Sequence, residues 1–194
     1  MNTTVSLPPD LRRWAGRHLP GLDGAAVTDA SWPRGDSRIW RITAPSATAF
    51  VKMYPTPAAF SREQRGCEHA ARVLAEGEAP RVIAADETLL AVILTGLPGQ
   101  VVRGLHLETA EEERVHEMAG RLLRRWHDGP TALTGRDRTA VMDAVTAQAR
   151  EAAACLDQVG GLLSPAERDL VRTVATSLPG LARDLPLVFR HGDY

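Results

Sequence analysis

The chain has 194 residues, with 23 Lys and Arg against 24 Asp and Glu and a formal net charge of -1. This balance gives no bulk attraction to nucleic acid or to an anionic membrane, because both need clustered positive charge. At 44% hydrophobic and 24% charged residues, the composition is that of a folded soluble protein and excludes a disordered chain. The length suits one large or two small domains.

The sequence also points to a compartment. Cys67 and Cys155 are the only cysteines, too few for a disulfide framework, and they indicate a reducing environment. No apolar run is long enough for a membrane span, and the N-terminus lacks the pattern of a secretory signal. We therefore expect a cytoplasmic protein.

A β-rich segment comes first. The polar, glycine-containing residues 32–37 predict a loop, followed by strands at residues 38–43 and 49–54 joined by a turn at residues 44–47. The second strand carries Lys52, the only lysine among the 23 basic residues. A compact ammonium on a flexible stem can reach a phosphate or a carboxylate that a planar guanidinium does not fit, so this position indicates a functional amine. The alternative is a solvent-facing lysine on an edge strand.

The spacing then changes to that of a helix. Apolar residues recur on one helical face together with Glu63, and Gly77 is the expected C′ residue. A carboxylate on an apolar face needs a partner, because an unpaired buried charge is destabilising. Two further strands are predicted at residues 81–85 and 89–94, and the Gly- and Pro-containing residues 95–99 predict a hinge.

Helices are predicted beyond the hinge. Thr109 with Glu112 has the form of a capping box that opens the first helix. The second is predicted from about residue 138 to residue 156, and the third begins after Ser164 and ends near residues 178–180. We therefore predict an α+β fold of two lobes, a β-rich N-terminal lobe with one helix over residues 1–95 and a helical lobe over residues 96–194.

Five motifs in this order resemble the aminoglycoside phosphotransferase family, small-molecule kinases related to choline kinases that share the protein-kinase-like fold. They are residues 50–54 (Phe-Val-Lys-Met-Tyr), residues 62–63 (Arg-Glu), residues 94–99 (Leu-Thr-Gly-Leu-Pro-Gly), residues 122–127 (Leu-Leu-Arg-Arg-Trp-His) and residues 187–193 (Leu-Val-Phe-Arg-His-Gly-Asp).

The resemblance implies roles for residues of four of these motifs and of the loop before the first. Asp193 would be the catalytic base, Lys52 the ligand of the α- and β-phosphates of ATP, and Glu63 its ion-pair partner. The hinge backbone at Thr95 and Leu97 would hydrogen-bond the adenine edge. The loop residues that would lie over the phosphates are Gly35, Ser37 and Arg38. The implied partner is a small-molecule hydroxyl acceptor, with no nucleic acid and no membrane; the oligomeric state and the identity of the acceptor are not readable from the sequence.

The sequence departs from the family after the motif that ends in Asp193. The family's catalytic-loop Asn and its second metal-binding Asp both follow that motif, and only Tyr194 follows here. We therefore expect the Mg²⁺ ligands beyond the end of this sequence, and the 194-residue polypeptide to be an inactive fragment. A non-catalytic nucleotide-binding or regulatory module, or a structural domain with no ligand, are the alternative interpretations.

Overall fold

The structure is a computed structural model that describes residues 5–33, 35–45, 47–102, 104–129 and 135–188. These residues form two compact units, one with the described residues up to Gly129 and the other with those from 135 to Val188. The predicted boundary between the lobes lies after residue 95, at the hinge. The division into two compact units does not test it.

A five-stranded antiparallel sheet forms the centre of the first unit. Its strands are β1 (Ala26–Asp29), β2 (Arg38–Thr43), β3 (Thr48–Met53), β4 (Val82–Asp86) and β5 (Ala91–Thr95), in the order β1-β2-β3-β5-β4. The predicted strands are confirmed, with shifts of one or two residues at several ends. Because side chains alternate along a strand, each strand contributes to both faces of the sheet.

One face of the sheet is covered by a helix that the sequence analysis did not predict. Helix α1 (Pro9–His18) has Pro at its first turn and buries Leu11, Trp14 and Ala15, an i, i+3, i+4 spacing that could have revealed it. These side chains pack against Trp40 and Val51 among others. The main apolar core of the unit lies between α1 and the sheet.

The opposite face carries helix α2 (Pro57–Val73). The Thr56 hydroxyl accepts a hydrogen bond from the Ala59 N–H at 3.2 Å and Pro57 occupies the first turn, so the helix begins four residues after β3 ends. The predicted role of Gly77 is wrong: Leu74, in an extended conformation, ends the helix, and Gly77 adopts a positive φ of 83° in the following loop.

Helix α3 (Thr109–Asp128) packs against α2 within the same unit. The predicted capping box is displaced by one residue, because Glu108 is the N-cap and its N–H donates to Glu111 at 3.4 Å. Near the other end of α3, His69 of α2 donates from Nε2 to the Trp126 carbonyl at 2.8 Å. A carbonyl can only accept, so this contact fixes the proton on that nitrogen.

The second unit consists of α4 (Gly135–Gln158), a short 3₁₀ turn (Gly160–Leu162) and α5 (Pro165–Ala182). Ser164 caps α5 as predicted, accepting from the Glu167 N–H at 3.3 Å. The predicted end of α5 is too early, since Pro179 lies inside the helix. The missing N–H of a proline removes one helical hydrogen bond, and the helix ends three residues later.

The α+β prediction is confirmed. Among the described residues, no helix is long and apolar enough to cross a membrane.

Candidate functional site

Lys52 and Glu63 form an ion pair on the face of the sheet that carries α2. Lys52 Nζ lies 2.9 Å from Glu63 Oε2, and their side chains are 22% and 28% exposed. The pair follows from the local fold, because α2 begins only four residues after β3 ends and packs on the same face of the sheet. The structure thus brings together two residues that the sequence analysis placed in one site, and both side chains stay partly exposed.

Tyr54 and Cys67 surround this pair. The ring of Tyr54 has its centroid 5.0 Å from Lys52 Nζ, a cation–π distance. Burial, reinforced by the negative charge of Glu63, raises the pKa of the Tyr54 phenol. Burial, with Glu63 again adding to it, also raises the pKa of the half-buried Cys67 thiol. Both groups are therefore neutral near pH 7, and the charged groups at the centre of the site are Lys52 and Glu63.

An apolar surface continues from the ion pair toward the hinge. Ile39 lies opposite Lys52 in the β2–β3 ladder, and Phe50 lies opposite Leu94 in the β3–β5 ladder. Opposite residues in an antiparallel pair share a face, so these side chains are on the same face as Lys52. Ile39 and Phe50 are half-buried, which leaves part of this surface accessible to a flat ligand.

The hinge leaves the sheet at the end of β5. The Thr95 N–H donates to the Arg81 carbonyl at 2.9 Å, and the Thr95 hydroxyl accepts from the Arg81 N–H at 2.8 Å. The Gly96 N–H donates to the Thr48 carbonyl at 2.8 Å, and a Cβ on Gly96 would lie only 2.7 Å from that oxygen. Because the Thr95 N–H is already used within the sheet, a backbone hydrogen bond between Thr95 and a ligand would be accepted by the Thr95 carbonyl. Leu97 is exposed.

The loop between β1 and β2 is braced by its own hydrogen bonds. Hydrogen bonding from Ser31, first by its side chain and then by its N–H at 2.8 Å, lowers the pKa of the Asp29 carboxyl, and the Gly35 N–H donates to the Trp32 carbonyl at 2.9 Å. A Cβ on Gly35 would lie 3.3 Å from the Trp32 Cβ, so a larger residue would crowd the loop.

The predicted loop residues do not all point toward Lys52. Ser37 is half-buried, just before β2. The Arg38 guanidinium lies 5.1 Å from the ring centroid of Trp40, and Trp40 belongs to the core on the α1 side. The side chain of Arg38 is therefore on the face opposite Lys52, and a contact with a ligand of Lys52 would need its backbone.

Asp193 lies outside the described residues, so its role as catalytic base stays a prediction. In the part of the chain that the structure describes, no group of three or more His, Cys, Asp or Glu side chains could hold a metal ion.

The sequence analysis gave no role to two residues of this region. Tyr54 lies two positions after Lys52, and strand alternation alone could have placed both on one face. Arg81 gave no signal, because its hydrogen-bond partners Leu74 and Thr95 lie 7 and 14 residues away.

The combination of a five-stranded sheet, a helix that pairs its glutamate with a strand lysine, and a hinge followed by helices is that of a kinase-like fold. A family model described as "Phosphotransferase enzyme family" (APH) matches residues 28–194. The chain belongs to this family, as its resemblance to aminoglycoside phosphotransferases indicated. No curated protein matches it.

Proposed function

We propose that the protein is an ATP-dependent phosphotransferase that moves the γ-phosphate to a hydroxyl group of a small molecule, an aminoglycoside or a related metabolite. The observation that carries this proposal is the ion pair of Lys52 and Glu63, 2.9 Å apart and partly exposed. Phosphoryl transfer depends mainly on positioning and on electrostatic stabilisation, and a fixed strand lysine supplies both to the nucleotide phosphates.

The ammonium of Lys52 has donors to spare for a phosphate. It carries three N–H groups, and one of them donates to Glu63. A buried ammonium without a counterion would be costly, so Glu63 keeps the site neutral overall while Lys52 remains charged. The two remaining N–H groups and the exposed part of the side chain make Lys52 suited to bind phosphate oxygens.

The apolar surface and the hinge fit a purine. Ile39 and Phe50 provide an apolar platform beside Lys52, and adenine presents a hydrogen-bond donor next to an acceptor along one edge. The Thr95 carbonyl could accept from such a donor, and the N–H of Leu97 could serve the acceptor.

The chemistry of transfer needs groups that are not among those described. A magnesium ion bound with the nucleotide would neutralise charge on the phosphates. In the proposed reaction Asp193 orients the acceptor hydroxyl and takes its proton.

Nucleotide binding by the 194-residue chain tests the proposal. We expect ATP to raise the melting temperature of the wild type and of Arg17→Ala, a charge-removing control on α1 across the sheet, but not that of Lys52→Ala. A ligand at one hundred times its dissociation constant stabilises the folded state by about 2.7 kcal/mol, which a thermal scan resolves. A folded wild type that does not respond to ATP, or an equal response of Lys52→Ala, would overturn the proposal.

Phosphate transfer is tested by ³¹P NMR with ATP, Mg²⁺ and a panel of aminoglycosides and amino alcohols. A new phosphate ester in a preparation that includes the complete catalytic loop supports the transferase, and retention of free acceptor throughout the panel would contradict the proposed acceptor class. ATP binding without any transfer would favour the non-catalytic nucleotide-binding module.

A further inference from the structure

We propose that Arg81 is a positioning residue of the nucleotide site, because it joins the hinge to the C-terminal end of the helix that carries Glu63. The inference rests on the proposed function. Arg81 lies just before β4 and touches neither Lys52 nor Glu63 by any hydrogen bond found among the described residues. Its influence on the site would act through α2 and β5.

The backbone of Arg81 is bound to the hinge on both sides. Its carbonyl accepts from the Thr95 N–H at 2.9 Å, and its N–H donates to the Thr95 hydroxyl at 2.8 Å. In a regular antiparallel ladder the Arg81 N–H would instead donate to the backbone carbonyl of Thr95. The use of the threonine side chain leaves the Thr95 carbonyl available, and this is the group that the proposed purine contact needs.

The side chain of Arg81 is bound to the end of α2. Nη2 donates to the Leu74 carbonyl at 2.7 Å, and Leu74 is the C-cap of the helix. A cation at this end satisfies an exposed carbonyl and interacts favourably with the helix dipole. Nη1 is also buried, so the guanidinium is enclosed rather than extended into solvent.

These contacts link the two halves of the proposed site. Leu74 lies 11 residues after Glu63 in the sequence, which corresponds to about 16 Å along an α-helix. A displacement of the C-terminal end of α2 therefore also moves Glu63 relative to Lys52. Arg81 joins the C-terminal end of α2 to Thr95, whose carbonyl would accept from the proposed purine. It therefore sets the position of the phosphate contact relative to that of the purine contact.

The test uses the single lysine of the chain. Lys52 and the N-terminal amine are the only amino groups open to an N-hydroxysuccinimide ester, and mass spectrometry after proteolysis reports the acylation rate of Lys52 with the N-terminus as internal reference. If Arg81 positions Glu63, the Arg81→Met variant loosens the ion pair and Lys52 reacts faster. The same variant is expected to bind ATP about three- to tenfold more weakly, the size of effect given by one lost hydrogen bond.

Two variants complete the experiment. Arg72→Met removes an exposed arginine from the last turn of α2, and we expect both readouts to equal those of the wild type. Arg81→Lys keeps a donor for the Leu74 carbonyl and should restore at least half of each change; site-resolved mass spectrometry separates its added amine from Lys52. If Arg81→Met does not fold, Arg81→Lys is compared directly with the wild type, and a residual increase in Lys52 acylation is then expected.

A folded Arg81→Met variant with wild-type Lys52 acylation and wild-type ATP affinity would overturn the inference, even with a lower melting temperature, because a purely structural role predicts that result. The acylation readout needs no nucleotide. A wild type that fails to bind ATP would therefore refute the proposed function, while the acylation rates would still decide whether Arg81 positions Glu63.

Discussion

The close approach of the hinge to β3 makes Gly96→Ala a demanding test of the structure. A Cβ at this position would lie 2.7 Å from the Thr48 carbonyl oxygen and 2.9 Å from both Cβ and Cγ2 of the same residue. Optimal contacts between carbon atoms are about 3.5–4.0 Å, so the two backbones must separate by several tenths of an ångström or more. Neither a backbone carbonyl nor a β-branched side chain can turn away.

The separation has two consequences for stability. Overpacking of this kind costs about 1–3 kcal/mol, and stretching the 2.8 Å bond from the Gly96 N–H to the Thr48 carbonyl removes about 1 kcal/mol more. We therefore expect Gly96→Ala to lower the free energy of unfolding by about 2–4 kcal/mol. At about 2–4 °C per kcal/mol for a protein of this size, the melting temperature falls by roughly 4–16 °C.

Urea unfolding followed by circular dichroism and a thermal scan measure these quantities. The matched control is Gly120→Ala in the interior of α3, where an added Cβ meets nothing within 4 Å. That change should stabilise the fold by about 0.5–1 kcal/mol, because alanine favours a helix over glycine. A Gly96→Ala variant as stable as the wild type would refute the close packing of the hinge on β3.

Three further predictions concern other parts of the chain. Ser164→Ala should destabilise α5 by about 1 kcal/mol through loss of the N-cap, measured by urea unfolding; an unchanged midpoint would contradict the cap. Hydrogen bonding to Arg125 at 2.6 Å lowers the pKa of Glu78. The pair therefore stabilises the fold fully above the pKa that Glu78 has in the unfolded chain, and this stabilisation is lost as the pH falls through the lower pKa of the folded protein. The melting temperature of Glu78→Gln should accordingly fall less steeply in acid than that of the wild type, and parallel curves would contradict this. Because burial raises the pKa of Tyr54 in the folded protein, Tyr54 ionises first in the unfolded chain, above pH about 10, which should destabilise the wild type more than Tyr54→Phe. If the melting temperatures of the two proteins fall equally with pH in this range, the burial of the Tyr54 phenol is contradicted.

Much of the fold follows from local sequence signals. The alternation at residues 38–43 gives the bounds of β2, and Ser164 with Glu167 marks the start of α5. The first turn of α3 contains several glutamates, so more than one residue could serve in a capping box, and the box that forms is that of Glu108 with Glu111. Helix α1 was not predicted because it is only 10 residues long and its apolar spacing is limited to Leu11, Trp14 and Ala15, a weak helical signal.

Within the site, the sequence analysis predicted the contact between two residues whose types were unusual for their positions. The single lysine and a glutamate on an apolar helix face led to the pair of Lys52 and Glu63, because each residue type was out of place without a partner. The face on which Arg38 lies depends on strand register, which the sequence did not fix. The contacts of Arg81 depend on how the loop after α2 returns to the sheet, and no spacing rule encodes that path.

The most direct test of the central claim, that Lys52 binds the phosphates of ATP, is protection of Lys52 from acylation. The 194-residue chain is treated with an N-hydroxysuccinimide ester alone, with ATP and with adenosine, and the modification of Lys52 is measured relative to the N-terminal amine. We predict that ATP slows the reaction of Lys52 strongly, that adenosine, which lacks phosphates, slows it little, and that the N-terminal amine is unaffected. Equal rates at Lys52 with and without saturating ATP would contradict the account.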